Sequence, residues 1–188
     1  MNEPLKIVPE DTPNPNSNKF TLNRTLLSHA GVDFPNRTAG ASSPLARELF
    51  LLDSVSGVYI GPNFVTVSLK DAADWWTLRP LIMQTIETHV ASGIPAVSDG
   101  TQAPAPAASR TFSSAVEAGI NQILETEIQP AVAMDGGHIA FVGYEKGVVR
   151  LQLRGACHSC PSSMVTLKMG IENRLKQEFP EIVAVEAV

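Results

Sequence analysis

Cys157 and Cys160 are the only cysteines in a chain of 188 residues, and two residues separate them in Gly155-Ala156-Cys157-His158-Ser159-Cys160-Pro161. Paired thiols at this spacing can ligate a soft metal centre or exchange with a disulfide, and the thiolate is the working form in both cases. An alternating run, Val149-Arg150-Leu151-Gln152-Leu153-Arg154, leads into the pair. A helical pattern leads out, with Met164, Leu167, Ile171, Leu175 and Phe179 at spacings of three and four. The pair is therefore expected on a strand-to-helix turn, with Pro161 at the first helical position, where no backbone N–H is required. Free N–H groups and the dipole at that helix end favour negative charge and hence thiolate.

Several classes of function are disfavoured by composition. Net charge is −5, from 14 basic and 19 acidic residues, and no basic block is present, so neither nucleic acid nor an anionic membrane is expected as a partner. No apolar run reaches the roughly 18 residues of a membrane span. Met1 to Pro15 has neither an apolar signal core nor an Arg-rich amphipathic stretch, and the expected location is the cytoplasm. In such a reducing compartment a Cys-x-x-Cys pair is metal-binding or redox-active rather than a structural staple.

The elements that position the pair divide the chain into an α/β protein of the α+β type with two small domains. Residues 1–94 form the first. Within it, Asp11 to Asn18 (DTPNPNSN) must be turns and extended backbone, because its prolines and asparagines resist regular structure. Ser43-Pro44 opens a helix, and Val58–Ile60 and Phe64–Leu69 form a hairpin across Gly61-Pro62-Asn63. A longer helix follows from Asp71 or Asp74, with Pro80 as a source of a kink or a later start. One helix face cannot bury both Trp75 and Trp76. Trp75 is expected to pack and Trp76 to cover the sheet in part, the alternative being a surface for partners. Residues 95–110, with three prolines and five alanines, read as a flexible linker.

Residues 111–188 form the second domain. Ser114-x-x-Glu117 has capping-box spacing, and Val116, Ile120, Ile123, Leu124 and Ile128 share a helix face whose end Pro130 obscures. Asp135-Gly136-Gly137 is a tight turn. His138 to Tyr144 and Val148 to Arg154 form a hairpin, with Val149, Leu151 and Leu153 facing the core. A small sheet with both helices packed on one face is expected, and Ile182–Val185 adds a strand.

These motifs carry a resemblance. The stretch from the DGG turn at Asp135, through RGAC and the CxxCP ending at Pro161, to Phe179-Pro180-Glu181 resembles the C-terminal domain of NifU and the Nfu family of iron–sulfur cluster scaffolds and carriers. TPNPNSNKF at Thr12 to Phe20, and Ser43 to Lys70, resemble the N-terminal domain of many Nfu proteins. The resemblance implies a non-enzymatic protein that binds a 4Fe-4S cluster through Cys157 and Cys160, usually as a cluster-bridged homodimer, and transfers it to apo iron–sulfur client proteins. It also implies exchange with upstream cluster assembly machinery. A cubane takes four thiolates and this chain has two, so a second chain or a client must complete the set.

The residues alone leave a thiol–disulfide oxidoreductase and a zinc-binding module as alternatives. Against the first, no βαβ pattern precedes the motif; against the second, no second ligand pair exists in the chain. His158 reads as a solvent-facing turn residue that could instead tune the cluster, and His138 as a surface residue at a strand start. Arg150 and Arg154 read as a solvated face or as charge offsetting a thiolate-ligated cluster. His29 and His89 have no ligand-spaced neighbours.

Overall fold

Alternating apolar residues in the first half build one sheet, and those of the second half build another. The computed structural model describes residues 3–28, 31–98, 114–157 and 161–188, the side chains of 161–164 excepted. His29, the linker from Asp99, His158 and Cys160 lie outside the described residues.

In the first domain, strands β1 (Ile7–Asp11), β2 (Ser17–Leu22), β3 (Val32–Phe34), β4 (Val55–Ile60) and β5 (Phe64–Leu69) form a sheet in the order β1-β2-β5-β4-β3. Every neighbouring pair is antiparallel. β5 is central and buried along its whole length, which suits its β-branched and aromatic sequence. Two short helices, α1 (Arg37–Gly40) and α2 (Pro44–Leu49), and the long α3 (Trp75–Ser92) complete the domain. Ser43 caps α2, its hydroxyl accepting the Ala46 N–H at 3.0 Å.

A 3-10 turn at Ala72–Asp74, capped by Asp71, leads directly into α3, which runs through Pro80 to a left-handed Gly93. Trp75 is buried against Phe20 and donates its indole N–H to the Pro15 carbonyl, whereas Trp76 is 93% exposed and covers no part of the sheet. Ala96 and Val97, at the start of the stretch expected as linker, are buried in this core, and the Ala96 carbonyl accepts from the Ser43 hydroxyl at 2.6 Å. Small residues bury little area each, so their composition did not announce this packing.

In the second domain the helix begins at α4 (Ala115–Ile123), where the Ser114 hydroxyl accepts the Glu117 N–H at 3.2 Å. It passes through a π turn at Leu124–Ile128 into α5 (Gln129–Met134). The π turn lies immediately before Pro130, which cannot donate to the preceding turn, and it lets the helix continue where a regular α-helix would break. β6 (Gly137–Glu145) and β7 (Val148–Gly155) form an antiparallel hairpin over Lys146-Gly147, both at positive φ (51° and 82°). Next comes α6 (Pro161–Glu178), and β8 (Ala184–Ala187) pairs parallel to β7. The sheet, in the order β6-β7-β8, is thus flanked by two helical segments.

Val149, Leu151 and Leu153 point into the core with Ile120, Ile171 and Leu175, while Arg150 and Gln152 face outward. Arg174 grips Glu127 with two bonds of 2.7 and 2.8 Å, and Glu172 accepts the Val185 N–H at 3.0 Å, setting α6 against α4–α5 and β8. An exposed ion pair such as Arg174–Glu127 contributes little to stability and serves chiefly to fix register. The two domains therefore have separate apolar cores. Between the domains the recorded hydrogen bonds and ring contact are made by individual side chains.

Candidate functional site

β7 ends at Gly155, and the chain turns through Ala156 and Cys157 before α6 begins at Pro161. Cys157 therefore lies on the strand-to-helix turn. It is 6% exposed and packs into the edge of the second core. Three glycines shape the turn, and one of them makes room for the thiol. Gly136 and Gly155 hold φ of +74° and +63°, left-handed values that L side chains rarely adopt. A Cβ at Gly155 would also press on the Gly136 carbonyl, 2.6 Å away. Gly137 has no positive φ; it is required for space, because a Cβ there would overlap Cys157 Sγ. The DGG and RGAC motifs are thus two faces of one device, in which each lets the other's backbone approach and together they seat the thiol.

The first domain meets this device from outside. Asn14 Nδ2 donates to the Ala156 carbonyl at 3.0 Å, and the Thr66 hydroxyl donates to the Gly136 carbonyl at 2.7 Å. Asp33 Oδ1 accepts the Gly155 N–H at 3.2 Å, and Lys19 Nζ donates to the Met134 carbonyl at 3.2 Å. The rings of Tyr59 and His138 stack at 6.0 Å and 28°. A cleft of about 390 Å3 opens between the domains, with Pro13 and Asn14 on one side and Val132, Asp135, Ala156, Cys157, Thr166 and Leu167 around the rest.

His138 is accordingly not the surface residue expected from its place at a strand start. Burial, with the charge of Arg154 adding to it, pushes the imidazole down to about 4, so the ring that stacks on Tyr59 is neutral at physiological pH. Burial also raises the Tyr59 phenol above its usual range, with Asp33 adding to the rise and Arg154 opposing it. Arg154 is half-buried beside these rings, which corrects the picture of a purely solvated arginine face; Arg150 is exposed and lies 3.7 Å from Glu145. His89 is buried in the first domain against Glu48, at 3.0 Å, far in sequence from the cysteine turn.

Among the described residues, no group of three or more His, Cys, Asp or Glu side chains could hold a metal ion. What the turn offers is one seated thiol, Cys157, with Cys160 three residues on. The sequence reading missed Asn14, Asp33, Tyr59 and Thr66. Asn14 lay in the TPNPNSN motif, and Tyr59 and Thr66 in the Ser43 to Lys70 stretch, but no local pattern marked their roles.

Comparison with known proteins matches residues 120–186 to the NifU-like domain and residues 7–93 to the N-terminal domain of the scaffold protein Nfu/NifU. A human protein, the mitochondrial NFU1 iron–sulfur cluster scaffold homolog, is 44% identical over 180 residues, covering 95% of this chain and 70% of its own length. Its counterpart in Drosophila erecta is 43% identical over 180 residues, 63% of its length, so the chain spans roughly two thirds of these relatives. The solution structure of a NifU-like protein from Saccharomyces cerevisiae aligns with a TM-score of 0.47 at 25% identity, over 53% of this chain and 91% of that one.

The location expected from the first fifteen residues is overturned. The relatives are mitochondrial proteins by name, which speaks against the cytoplasmic expectation. The absence of a presequence pattern in one stretch was a weak guide against similarity that runs through both domains. With both domain models matched in order, and with a relative 44% identical along nearly the whole chain, the protein belongs to the Nfu/NifU-like family of iron–sulfur cluster scaffolds, carriers rather than enzymes.

Proposed function

We propose that two copies of this chain hold one 4Fe-4S cluster between their Cys157 and Cys160 thiolates and pass it to apo iron–sulfur proteins. The observation that carries this reading is the seating of Cys157: a turn built from three glycines presents a thiol at the head of a helix, beside an open cleft. The arithmetic of ligands supports the bridge, since a cubane takes four thiolates and each chain supplies two. The position suits cargo as opposed to a resident cofactor. A cluster held at a turn, shared between chains, can be taken over by an acceptor's thiolates one at a time. Upstream assembly machinery would load it by the same exchange in reverse.

The division of labour we propose follows the domain order. Residues 111–188 hold the cluster, and residues 1–94 recognise clients. The Pro/Ala-rich stretch over 95–110, whose first residues through Val97 also pack on the first domain, joins them as a tether. A tether of this length spans on the order of 20 Å and raises the effective concentration of the cluster at a docked client's empty site. Trp76, fully solvated on α3, is an apolar surface available to such clients.

The test is delivery. Protein reconstituted anaerobically with iron and sulfide is mixed with an apo iron–sulfur enzyme, and recovery of that enzyme's activity is followed against free iron and sulfide at matched concentration. Recovery faster than the inorganic control, with loss of the donor's cluster absorbance in step, is the expected result. Recovery no faster than the control contradicts the carrier reading.

A further inference from the structure

We infer that the first domain is a removable cap on the cysteine turn, and that it must part from that turn before a second chain can share a cluster there. The coupling to cluster sharing rests on the bridged reading above; the cap itself does not.

The contacts between the domains converge on the device that seats Cys157. Asn14, Asp33 and Thr66 come from three different segments of the first domain, and each bonds to backbone on the DGG or RGAC side of the device, at Ala156, Gly155 and Gly136. Lys19 bonds to Met134, next to the same turn, and Tyr59 stacks on His138 directly after it. Asn14 and Thr66 are 3% and 1% exposed, so both are enclosed by the contact. The geometry of the turn explains why this surface attracts a polar partner: glycines leave the N–H of Gly155 and the carbonyl of Gly136, which also accepts the Ala156 N–H at 3.2 Å, without side chains to shield them.

The character of the interface says that it opens. Neither apolar core extends into the other domain. Side-chain-to-backbone hydrogen bonds can be exchanged for bonds to water at small net cost, and interfaces between domains that join no common core permit relative motion. Cys157 lines the cleft together with Pro13 and Asn14, so the first domain forms one wall of that cleft. In the capped form the thiol packs against Gly137 in the second core, with the first domain across the cleft.

The decisive experiment is done on the full chain without metal. Asn14→Asp keeps an oxygen for the Asn16 N–H, which Asn14 Oδ1 accepts at 3.0 Å, but replaces the donor aimed at Ala156 with a carboxylate. Thr66→Val keeps shape and strand preference and removes the donor to Gly136. In the double variant, alkylation of Cys157 by iodoacetamide, read by peptide mass, is expected to accelerate by on the order of tenfold. Hydrogen exchange at the Gly155 amide should quicken with it, while exchange in β5 and Trp fluorescence stay as in wild type, showing an intact first domain. An unchanged Cys157 rate in the folded double variant overturns the cap. If β5 exchange also quickens, Asp33→Asn, which weakens the bond to Gly155 from a half-buried position on the edge strand β3, is used in the same assay and decides by the same criterion. A second arm compares wild-type protein with and without reconstituted cluster. Faster Gly155 exchange in the loaded form supports release on loading, and unchanged exchange in a loaded form overturns it. A protein that takes up no cluster fails the bridged reading, while the alkylation result still decides the cap.

Discussion

Replacing either Cys157 or Cys160 with Ala is expected to bring cluster content after anaerobic reconstitution close to zero. In a bridged pair of chains each substitution removes two of four thiolates, and no group of metal-ligating side chains among the described residues replaces them. The described residues contain no other metal-ligating cluster, and Cys157 and Cys160 are the only cysteines. Water cannot stand in for a thiolate on two of the four irons without leaving the cluster open to loss. The effect should be separable from folding. Cys157→Ala removes a buried sulfur and costs about 1 kcal/mol, a typical point-mutation effect, so the protein remains folded. Iron and sulfide per chain, together with the thermal midpoint, check both halves. A stable cluster retained in both variants would show that the ligands lie elsewhere.

Gly137→Ala should be nearly as damaging, although it removes no ligand. The added methyl would overlap Cys157 Sγ and would also crowd Val132 Cγ1 at 3.2 Å and the Arg154 carbonyl at 3.3 Å. The thiol, a core side chain and the neighbouring strand enclose the position, so relief requires moving the turn itself. Overpacking of this kind costs about 1–3 kcal/mol. For a domain this small that is a fall in midpoint of roughly 4–8 °C per kcal/mol. Cluster content should fall further than stability, because in the proposed function the displaced atom is a ligand. Gly143→Ala is the control: it lies on the same strand with nothing within 4 Å of a new Cβ, and it should change neither property by more than the scatter of measurement. Equal behaviour of the two variants in thermal melts and iron analysis would remove the steric account of the DGG motif.

The parts of this molecule that were legible in the sequence are those with local period or local chemistry. The alternation at Val149, Leu151 and Leu153 gave β7 and its buried face, and the spacing after Pro161 gave α6. Glycines next to cysteine marked the turn. Ser43 and Ser114 announced their helices because a cap acts within three residues of itself. What escaped was the meeting of the domains. Asn14 reaches Ala156 and Asp33 reaches Gly155 across more than a hundred residues, through single polar side chains onto backbone. Such contacts leave no periodicity to read. His138 was misplaced for the same reason: Tyr59, which stacks on it, belongs to the other domain. The helix across Pro130 was obscured because a π turn relieves the proline without any special residue of its own.

The central claim, one cubane shared by two chains, is tested most directly by native mass spectrometry of the full chain after anaerobic reconstitution, with iron counted on the same sample. The account predicts a species of two chains carrying four irons and four sulfides, which returns to single chains of 20.1 kDa when the cluster is removed by a chelator. A single chain that carries a complete four-iron cluster through the same measurement would contradict it.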